Sequence, residues 1–275
     1  MKKTIKVILK HRLSERELNS MVKSFDIVGD IAVIEIRDVL VKKEKLIART
    51  ILAQHKNIRV VCKKSGGHTG EFRLQKYRIL AGERRKTTMY KESGVHLELH
   101  LEKTYFSPRL SSERARIAHL VRPGEEVLVM FSGIAPYCCV IAKHSKAKEI
   151  VGIEKNPAAH AFAMRNIQVN KLKNVKLYCG DVRTVIPKLK RTFDRVCMPL
   201  PKGGETFLDI ALKATKKKGV LHFYDFLRED EFEKAENELA AACKRVKRRY
   251  KILRLVRCGQ QRPWVFRVCL DARIV

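Results

Sequence analysis

The 275-residue sequence lacks several patterns that would assign it to a common class of protein. None of its eight cysteines forms a C-x-x-C pair, the spacing at which zinc and redox sites usually bring two sulfurs together. No apolar run reaches the ~20 residues of a spanning helix, and the N-terminus has no signal-peptide core. The triphosphate-binding pattern G-x-x-x-x-G-K-[ST] is also absent. We therefore expect no metal, no membrane contact and a soluble, cytoplasmic protein.

Acidic residues are scarce relative to basic ones. Lys and Arg total 59 against 29 Asp and Glu, which gives a formal net charge of +30. Basic residues are dense at 84–86, 216–218 and 244–249. Like charges repel across a compact chain unless a polyanion neutralises them, and a thermophilic ion-pair surface would need a closer balance of signs. Nucleic acid is the expected partner.

The first part of the chain predicts a small α/β unit. Residues 26–37 and 58–62 have strand-like composition, and the helical spacing of apolar residues predicts a helix over 41–56. Residues 63–94 are rich in glycine and charge with little periodicity, which is typical of an exposed loop and hairpin.

The pattern changes near residue 95, where we place a domain boundary. Beyond it, apolar strand-like runs alternate with helical stretches, and two final strand-like runs suggest an antiparallel pair. This alternation predicts a mostly parallel sheet covered by helices on both faces. We expect a small α/β domain over 1–95 and an α/β sheet domain over 96–275. Ligands in such sheets bind beyond the carboxyl ends of the strands.

Distinctive residues follow the first three strands of this predicted sheet. The first strand ends at Phe131 and a turn with Gly133, and the helix that follows offers free N–H donors. The second ends at Glu154, which can accept hydrogen bonds from ribose hydroxyls, and the third at Asp181, which can accept from an adenine amine. Each acid alone is also typical of an exposed loop or a helix N-cap. Together they predict an adenosine-containing cofactor, of which S-adenosylmethionine is the simplest.

The fourth predicted strand ends at Pro199, Leu200 and Pro201. Two prolines make the backbone rigid and remove two N–H donors, which suits the wall of a flat pocket. Pro201 is equally typical of the start of the next helix.

Several segments resemble the archaeal and eukaryotic tRNA (guanine(37)-N1)-methyltransferases, a family with a Rossmann-like class I methyltransferase domain. The resemblance covers nearly the whole chain and rests on HTGEFRLQKYRILAGE, YFSPRLSSERARI, MFSGIAPY, IEKNPAAHAFAMRNIQVNKL, GDVR, MPLPKGGETFLDIAL and GVLHFY. It implies that the first domain binds RNA and positions the substrate. It also implies a short form that lacks the additional N-terminal domain of many members, and we expect this form to be a monomer.

The resemblance further implies the reaction and its residues. The methyl group of S-adenosylmethionine would pass to N1 of guanosine 37 in the tRNA anticodon loop. Glu113 would be the general base for the N1 proton, and Arg109 and Arg73 would steady the guanine. Without the resemblance, Glu113 suggests a salt bridge on a helix surface. The cofactor-binding set comprises Arg114, Glu154, Lys155, Asp181, Val182 and Pro201 by resemblance, nearby Tyr105 and Tyr137, and Phe131, Gly133, Pro199 and Leu200 at the strand ends.

Three departures from the family pattern leave alternatives open. Val129 stands where an acid is usual, Ala135 replaces a second glycine, and Pro199 replaces an asparagine that would help hold cofactor and base. One alternative is a wybutosine-pathway aminocarboxypropyl transferase, which shares the fold and cofactor but lacks the arginine that matches Arg109. The other is a non-catalytic tRNA-binding protein on a methyltransferase fold, which would not bind S-adenosylmethionine.

Overall fold

The chain forms two compact units in a computed structural model that describes residues 4–22 and 24–275. The first unit comprises Met1–Lys91 and Leu97–Phe106, and the second comprises Glu92–His96 and Ser107–Val275. Among the described residues, no helix is long and apolar enough to cross a membrane.

The first unit is a four-stranded sheet with helices and a separate two-stranded sheet. Its helices are α1 (Ile5–Leu9), α2 (Glu15–Ser20) and α3 (Glu44–Gln54), and its strands are β1 (Asp26–Val28), β2 (Ile31–Ile34), β3 (Val60–Thr69) and β4 (Leu74–Gly82), together with most of β5 (Thr87–Glu92) and β6 (Val95–His100). The larger sheet has the order β1-β2-β3-β4, and only β2 and β3 are parallel. The helix predicted over 41–56 is confirmed as α3, which buries Ile47, Ala48 and Ile51 in the core of this unit.

The hairpin predicted within 63–94 is confirmed, whereas the exposed loop predicted there is largely wrong. Three strands occupy most of this stretch, and β3 pairs with β4 as an antiparallel hairpin. Backbone pairing satisfies the peptide groups there even though the side chains are polar, and Gln75 Nε2 donates to the carbonyl of Gly66 at 2.8 Å. The polar composition of this stretch therefore gave no indication that its strands pair.

The second unit is a seven-stranded sheet between two layers of helices. Its helices are α4 (Ser111–Leu120), α5 (Pro136–His144), α6 (Pro157–Val169), α7 (Val182–Leu189), α8 (Leu208–Ala214) and α9 (Glu233–Arg245). Its strands are β7 (Glu126–Val129), β8 (Glu149–Glu154), β9 (Val175–Cys179), β10 (Phe193–Met198), β11 (Thr215–Arg228), β12 (Tyr250–Arg262) and β13 (Val265–Ile274). The sheet order is β12-β13-β11-β10-β7-β8-β9.

The predicted mixed sheet is confirmed. Neighbours among β11, β10, β7, β8 and β9 pair in parallel, whereas β13 is antiparallel to both β11 and β12. Apolar side chains of the central strands are fully buried because helices cover both faces. Gly152 in β8 is needed for this packing, since a Cβ there would lie 2.6 Å from Leu177 Cδ2 and 3.0 Å from Cys138 Sγ. The carboxyl ends of the five parallel strands therefore meet at one edge.

Candidate active site

The turn after β7 has an unusual backbone held by hydrogen bonds. The backbone angle φ is 54° at Phe131, 58° at Gly133 and 63° at Ala135. These values lie in the left-handed region, which residues other than glycine rarely adopt. Gly133 N donates to Glu154 Oε2 at 2.7 Å. The buried Asn166 side chain donates to the carbonyl oxygen of residue 134 at 3.0 Å. The first two predicted strand ends are thus joined directly.

Glu154, at the end of β8, retains capacity to bind a ligand. Its Oε1 accepts from Asn156 N and its Oε2 from Gly133 N, each at 2.7 Å. Burial raises the pKa of Glu154, although these backbone hydrogen bonds oppose the change. The backbone of Lys155 also hydrogen-bonds to this carboxylate, which offers about four acceptor positions in all. A ribose hydroxyl of an adenosine therefore still fits the donor-acceptor chemistry of this site.

Asp181 is the N-cap residue of a helix, one of the roles expected from the sequence, and it also lies beside the cationic side chain of Lys155. It caps α7, accepting from Arg183 N at 2.8 Å, and Lys155 Nζ lies 3.2 Å from its Oδ2. Burial acts to raise the pKa of Asp181, but the Arg183 amide and Lys155 outweigh it and the pKa is lowered. Val182, the next residue, is buried in the core. Asp181 is therefore a fixed, anionic acceptor beyond β9.

The segment after β10 and an aromatic pair lie beyond the same sheet edge. Leu200 N donates to Met198 O at 2.7 Å, which tightens the chain between the two prolines, and Pro201 is buried. The Phe131 ring packs edge-on against Phe207, with 4.9 Å between centroids. Phe207 was not predicted as a site residue, because its helical context gave no sign that it meets the turn.

Glu113 lies in a buried hydrogen-bonded chain. The residue is only 3% exposed, and Arg116 donates to its two oxygens at 2.6 and 2.7 Å. Tyr224 OH donates to Glu113 Oε1 at 2.5 Å, and Tyr137 OH donates to Tyr224 OH at 3.3 Å. The surface salt bridge suggested by sequence is therefore an ion pair, but a buried one. Tyr137 opens the helix that follows the Gly133 turn, so the chain links Glu113 to the candidate cofactor site.

The same network continues through Asp271. Arg116 Nη1 donates to Asp271 Oδ2 at 2.6 Å, and His222 Nδ1 donates to Asp271 Oδ1 at 2.5 Å. Arg195 Nη1 lies 2.7 Å from His222 Nε2 and pairs in turn with Glu125. Because an arginine can only donate, His222 Nε2 must carry a lone pair and His222 is neutral. Burial, together with the charges of Arg195 and Arg116, lowers the pKa of His222 although Asp271 opposes this.

One group of possible metal ligands occurs among the described residues, within this network. His222, Cys269 and Asp271 place ligand atoms within 4.8 Å of one another. The oxygens of Asp271 already accept from two guanidinium groups, those of Arg116 and Arg254, as well as from His222. These guanidinium groups would repel a metal cation, so we assign the three residues to the ion-pair network.

The remaining predicted residues have varied surroundings. Arg114 is 1% exposed, and its guanidinium donates to both oxygens of Glu92 at 2.5 Å. Arg109 is exposed in a short 3-10 turn just before α4. Arg73 and Tyr105 belong to the first unit, where the guanidinium lies 4.9 Å from the ring centroid. Their roles in substrate or cofactor binding remain predictions.

A mostly parallel sheet with a glycine turn and two acids beyond its strands is the arrangement of nucleotide- and nucleoside-binding α/β proteins. Residues 88–253 match the family described as the TRM5/TYW2 methyltransferase domain, and residues 5–86 match the TYW2 N-terminal domain. The chain belongs to the TRM5/TYW2 family, which confirms the resemblance found in its sequence.

Relatives with different reactions match this chain. Trm5b, a tRNA (guanine(37)-N(1))-methyltransferase of Pyrococcus abyssi, is 39% identical over 74% of this chain, which spans 60% of that protein. Taw22 of Nanoarchaeum equitans, a tRNA (guanine(37)-N(1))/4-demethylwyosine(37)-methyltransferase, is 32% identical over 78% of this chain and 88% of its own. A tRNA(Phe) (4-demethylwyosine(37)-C(7)) aminocarboxypropyltransferase of Pyrococcus horikoshii is 28% identical over 100% of this chain and 97% of its own.

Solved structures agree with this family and with the expected cofactor. A complex of aTrm5 with tRNALeu superposes with a TM-score of 0.87 at 31% identity, covering 100% of this chain and 79% of that one. P. horikoshii TYW2 with MeSAdo gives 0.83 at 25% identity, covering 98% and 97%. Methanocaldococcus jannaschii TYW2 with AdoMet gives 0.70 at 25% identity, covering 91% and 99%. S-adenosylmethionine is thus confirmed as the cofactor of the family.

Replacing Glu154 with glutamine is expected to weaken S-adenosylmethionine binding by about tenfold or more. Hydrogen bonds to charged groups contribute about 1.5–3 kcal/mol, and an amide would also set a donor against a backbone N–H. Calorimetric titration measures the Kd. Glu149→Gln is the matched control, because Glu149 lies at the other end of β8 and pairs with Lys176. Equal affinity in wild type and Glu154→Gln would remove Glu154 from the cofactor site.

Proposed function

We propose that this protein transfers the methyl group of S-adenosylmethionine to N1 of guanosine 37 in the anticodon loop of tRNA. Family membership supports the cofactor and the class of substrate. The observation that carries the proposal is the hydrogen-bonded chain from Glu113 through Tyr224 to Tyr137, because it joins the proposed base to the helix that follows the candidate cofactor turn.

The residues of the second unit suit the separate tasks of this reaction. Gly133 N–H holds Glu154 Oε2, and the remaining acceptor position of that carboxylate would accept a ribose hydroxyl. Asp181 would accept from the adenine amine. When bound, S-adenosylmethionine supplies a methyl group that leaves sulfur as a new bond to N1 forms, with S-adenosylhomocysteine as the other product.

Glu113 would take the N1 proton as the electron pair of the N1–H bond becomes available for the new bond. Its Oε1 already accepts two hydrogen bonds, from Arg116 and Tyr224, whereas Oε2 accepts one from Arg116. Oε2 therefore has a lone pair left for the proton. Because Glu113 is 3% exposed, the base role requires substrate binding to open a path to Oε2.

Two labelled donors test the proposal. Unmodified tRNA is incubated with the protein and S-adenosylmethionine labelled either in the methyl group or in the aminocarboxypropyl chain, and modified nucleosides are then mapped by mass spectrometry. We expect only the methyl label to reach the tRNA, as N1-methylguanosine at position 37. Transfer of neither label would contradict an enzymatic role with this substrate.

The second candidate is aminocarboxypropyl transfer to a 4-demethylwyosine-containing tRNA. The match of residues 5–86 to the TYW2 N-terminal domain favours it, as does the near-complete alignment with the P. horikoshii aminocarboxypropyltransferase. Arg109 favours methyl transfer instead. Transfer of the chain label to precursor-containing tRNA would establish this candidate.

A further inference from the structure

The hairpin of β12 and β13 ends in an exposed tryptophan. Trp264 is the only tryptophan of the chain, and 72% of its surface is exposed. Among the described residues it is the most exposed large hydrophobic side chain, ahead of Val7 at 54%. A single exposed apolar residue is ordinary on a surface, but a tryptophan this exposed leaves a large ring in water without packing energy.

The backbone at this position disfavours tryptophan as well. Pro263 and Trp264 form the two-residue turn between the strands, and Trp264 has a φ of 63°. Proline at the first position followed by a positive φ is typical of a type II turn, whose second position favours glycine or asparagine. A bulky residue in the left-handed region is strained, and strain retained without packing suggests a function. Neither burial nor turn geometry accounts for Trp264.

The hairpin projects beyond the edge of the sheet that carries the candidate cofactor site. Met198, the last residue of β10, pairs with Phe223, but β11 continues to Arg228, which pairs with Val265. Five additional residues extend the strand by about 17 Å. Three strand spacings, about 14 Å in total, separate β13 from β7. The turn at Trp264 therefore lies beyond the same edge of the sheet as the candidate site.

Basic residues dominate the hairpin. Between residues 250 and 275 the basic residues are Lys251, Arg254, Arg257, Arg262, Arg267 and Arg273. The acidic one in this stretch, Asp271, is buried. Near the tip, Arg257 packs against Phe232 and Phe266 at about 5 Å from each ring centroid, which braces the strands below the turn. Arg254 pairs with Asp271, Arg257 pairs with Glu229 and Arg267 is buried, so Arg262 is the exposed cation next to the turn. A braced tip that offers this cation beside an aromatic ring suits a polyanion that also offers flat rings.

We propose that the tip of this hairpin, Arg262 and Trp264, binds single-stranded RNA, with the indole stacked on a base of the anticodon loop near the modified nucleotide. This inference rests on the proposed tRNA substrate. Unpaired bases stack readily on aromatic side chains, and arginine adds attraction to the phosphates. The contact positions the loop and takes no part in the chemical step.

The single tryptophan provides a direct measurement. Unmodified tRNA is titrated into the wild-type protein while the intrinsic fluorescence of Trp264 is recorded, and the anisotropy of labelled tRNA is followed in parallel. Stacking quenches the indole, so we expect quenching to saturate at the RNA concentration at which anisotropy saturates. An RNA with an abasic site beside position 37 should bind with less quenching.

Variants at the tip separate stacking from structure. Trp264→Ala is expected to raise the Kd for tRNA about fivefold or more, the range for losing one stacked base, whereas Trp264→Phe keeps most of the affinity. Trp264→Gly should raise the Tm, because glycine suits a φ of 63°, and still weaken binding. Leu253→Ala is the control, since Leu253 is also exposed on β12 but lies about ten residues from the tip.

The outcomes distinguish this inference from the proposed function. Anisotropy that shows tRNA binding without quenching, and with unchanged affinity in Trp264→Ala, would overturn the stacking contact and leave the tRNA substrate intact. Self-association removed by Trp264→Ala, with no effect on RNA binding, would overturn it in favour of a protein contact. Failure of the wild type to bind any tRNA would instead contradict the proposed function.

Discussion

Glu113→Gln is expected to lower methyl transfer by about a hundredfold or more while S-adenosylmethionine affinity stays unchanged. Loss of a general base typically costs 10²–10⁴ in rate. Glutamine keeps the size of the side chain and can still accept from Tyr224 and Arg116, but it cannot take the N1 proton. Single-turnover methylation of tRNA measures the rate, and calorimetry measures cofactor binding.

A second carboxylate in the same network serves as the control. Glu125 forms an ion pair with Arg195, much as Glu113 does with Arg116. The Glu125 side chain is 14% exposed. Glu125→Gln should therefore disturb the network without the hundredfold loss of rate. Full turnover by Glu113→Gln would remove its role as base. Equal losses in the two variants, together with lowered melting temperatures, would trace the effect to the network instead.

Asp271→Asn is expected to lower the free energy of unfolding by about 3–5 kcal/mol, the usual cost of breaking a buried ion pair from one side. Asp271 is 1% exposed and accepts from Arg116, Arg254 and His222. Asparagine would remove the anion that Arg254 pairs with, would leave Arg116 with Glu113 as its anionic partner, and would turn an amide donor toward other donors. Urea denaturation, with hydrogen exchange in β11 and β13 to localise the effect, measures the change.

The matched control is an exposed pair of the same type. Asp209 accepts from Arg245 at 2.6 Å with its side chain 42% exposed, and surface pairs contribute about 0–1 kcal/mol. Asp209→Asn should therefore change the unfolding free energy by less than about 1 kcal/mol. A similar small loss in Asp271→Asn would show that the buried network does not stabilise the sheet.

The same network predicts how stability depends on pH. His222 has its pKa lowered from 6.5 by burial, so below about pH 6.5 the unfolded chain takes up a proton that the folded one does not. Burial acts to raise the pKa of Asp271, but His222 and Arg116 outweigh it and hold the pKa well below 3.8. Stability should therefore fall on acidification through pH 6.5 and again below about pH 4. Other carboxylates, such as Asp181 and Asp194, also have lowered pKa values, so Asp271→Asn should reduce the second fall in urea melts rather than abolish it.

Local patterns predicted the edge of the sheet well. A strand followed by a turn or an acid is visible within a few residues, so Gly133 and Glu154 could be placed at neighbouring strand ends from sequence. Parallel pairing then brings such ends together whatever the intervening helix contains. The alternation of strands and helices likewise gave the order of elements in the second unit.

Long-range partners could not be predicted in the same way. Arg116 and Asp271 are 155 residues apart, and Asp271 lies in an apolar strand whose pattern gives no partner. The burial of Glu113 follows from this pairing, which is why its helix suggested a surface residue. In the first unit, paired polar strands replaced a predicted loop, because main-chain hydrogen bonding depends on a neighbour that composition does not reveal.

The position of β13 between β11 and β12 has a consequence for biogenesis. A ribosome reaches this interior strand after every other strand of its sheet, and it carries the carboxylate that fixes Arg116. Nascent chains that stop before residue 271 therefore cannot assemble the network around Glu113. We therefore expect the chain to become active only at the end of its synthesis, when β13 pairs with β11 and β12.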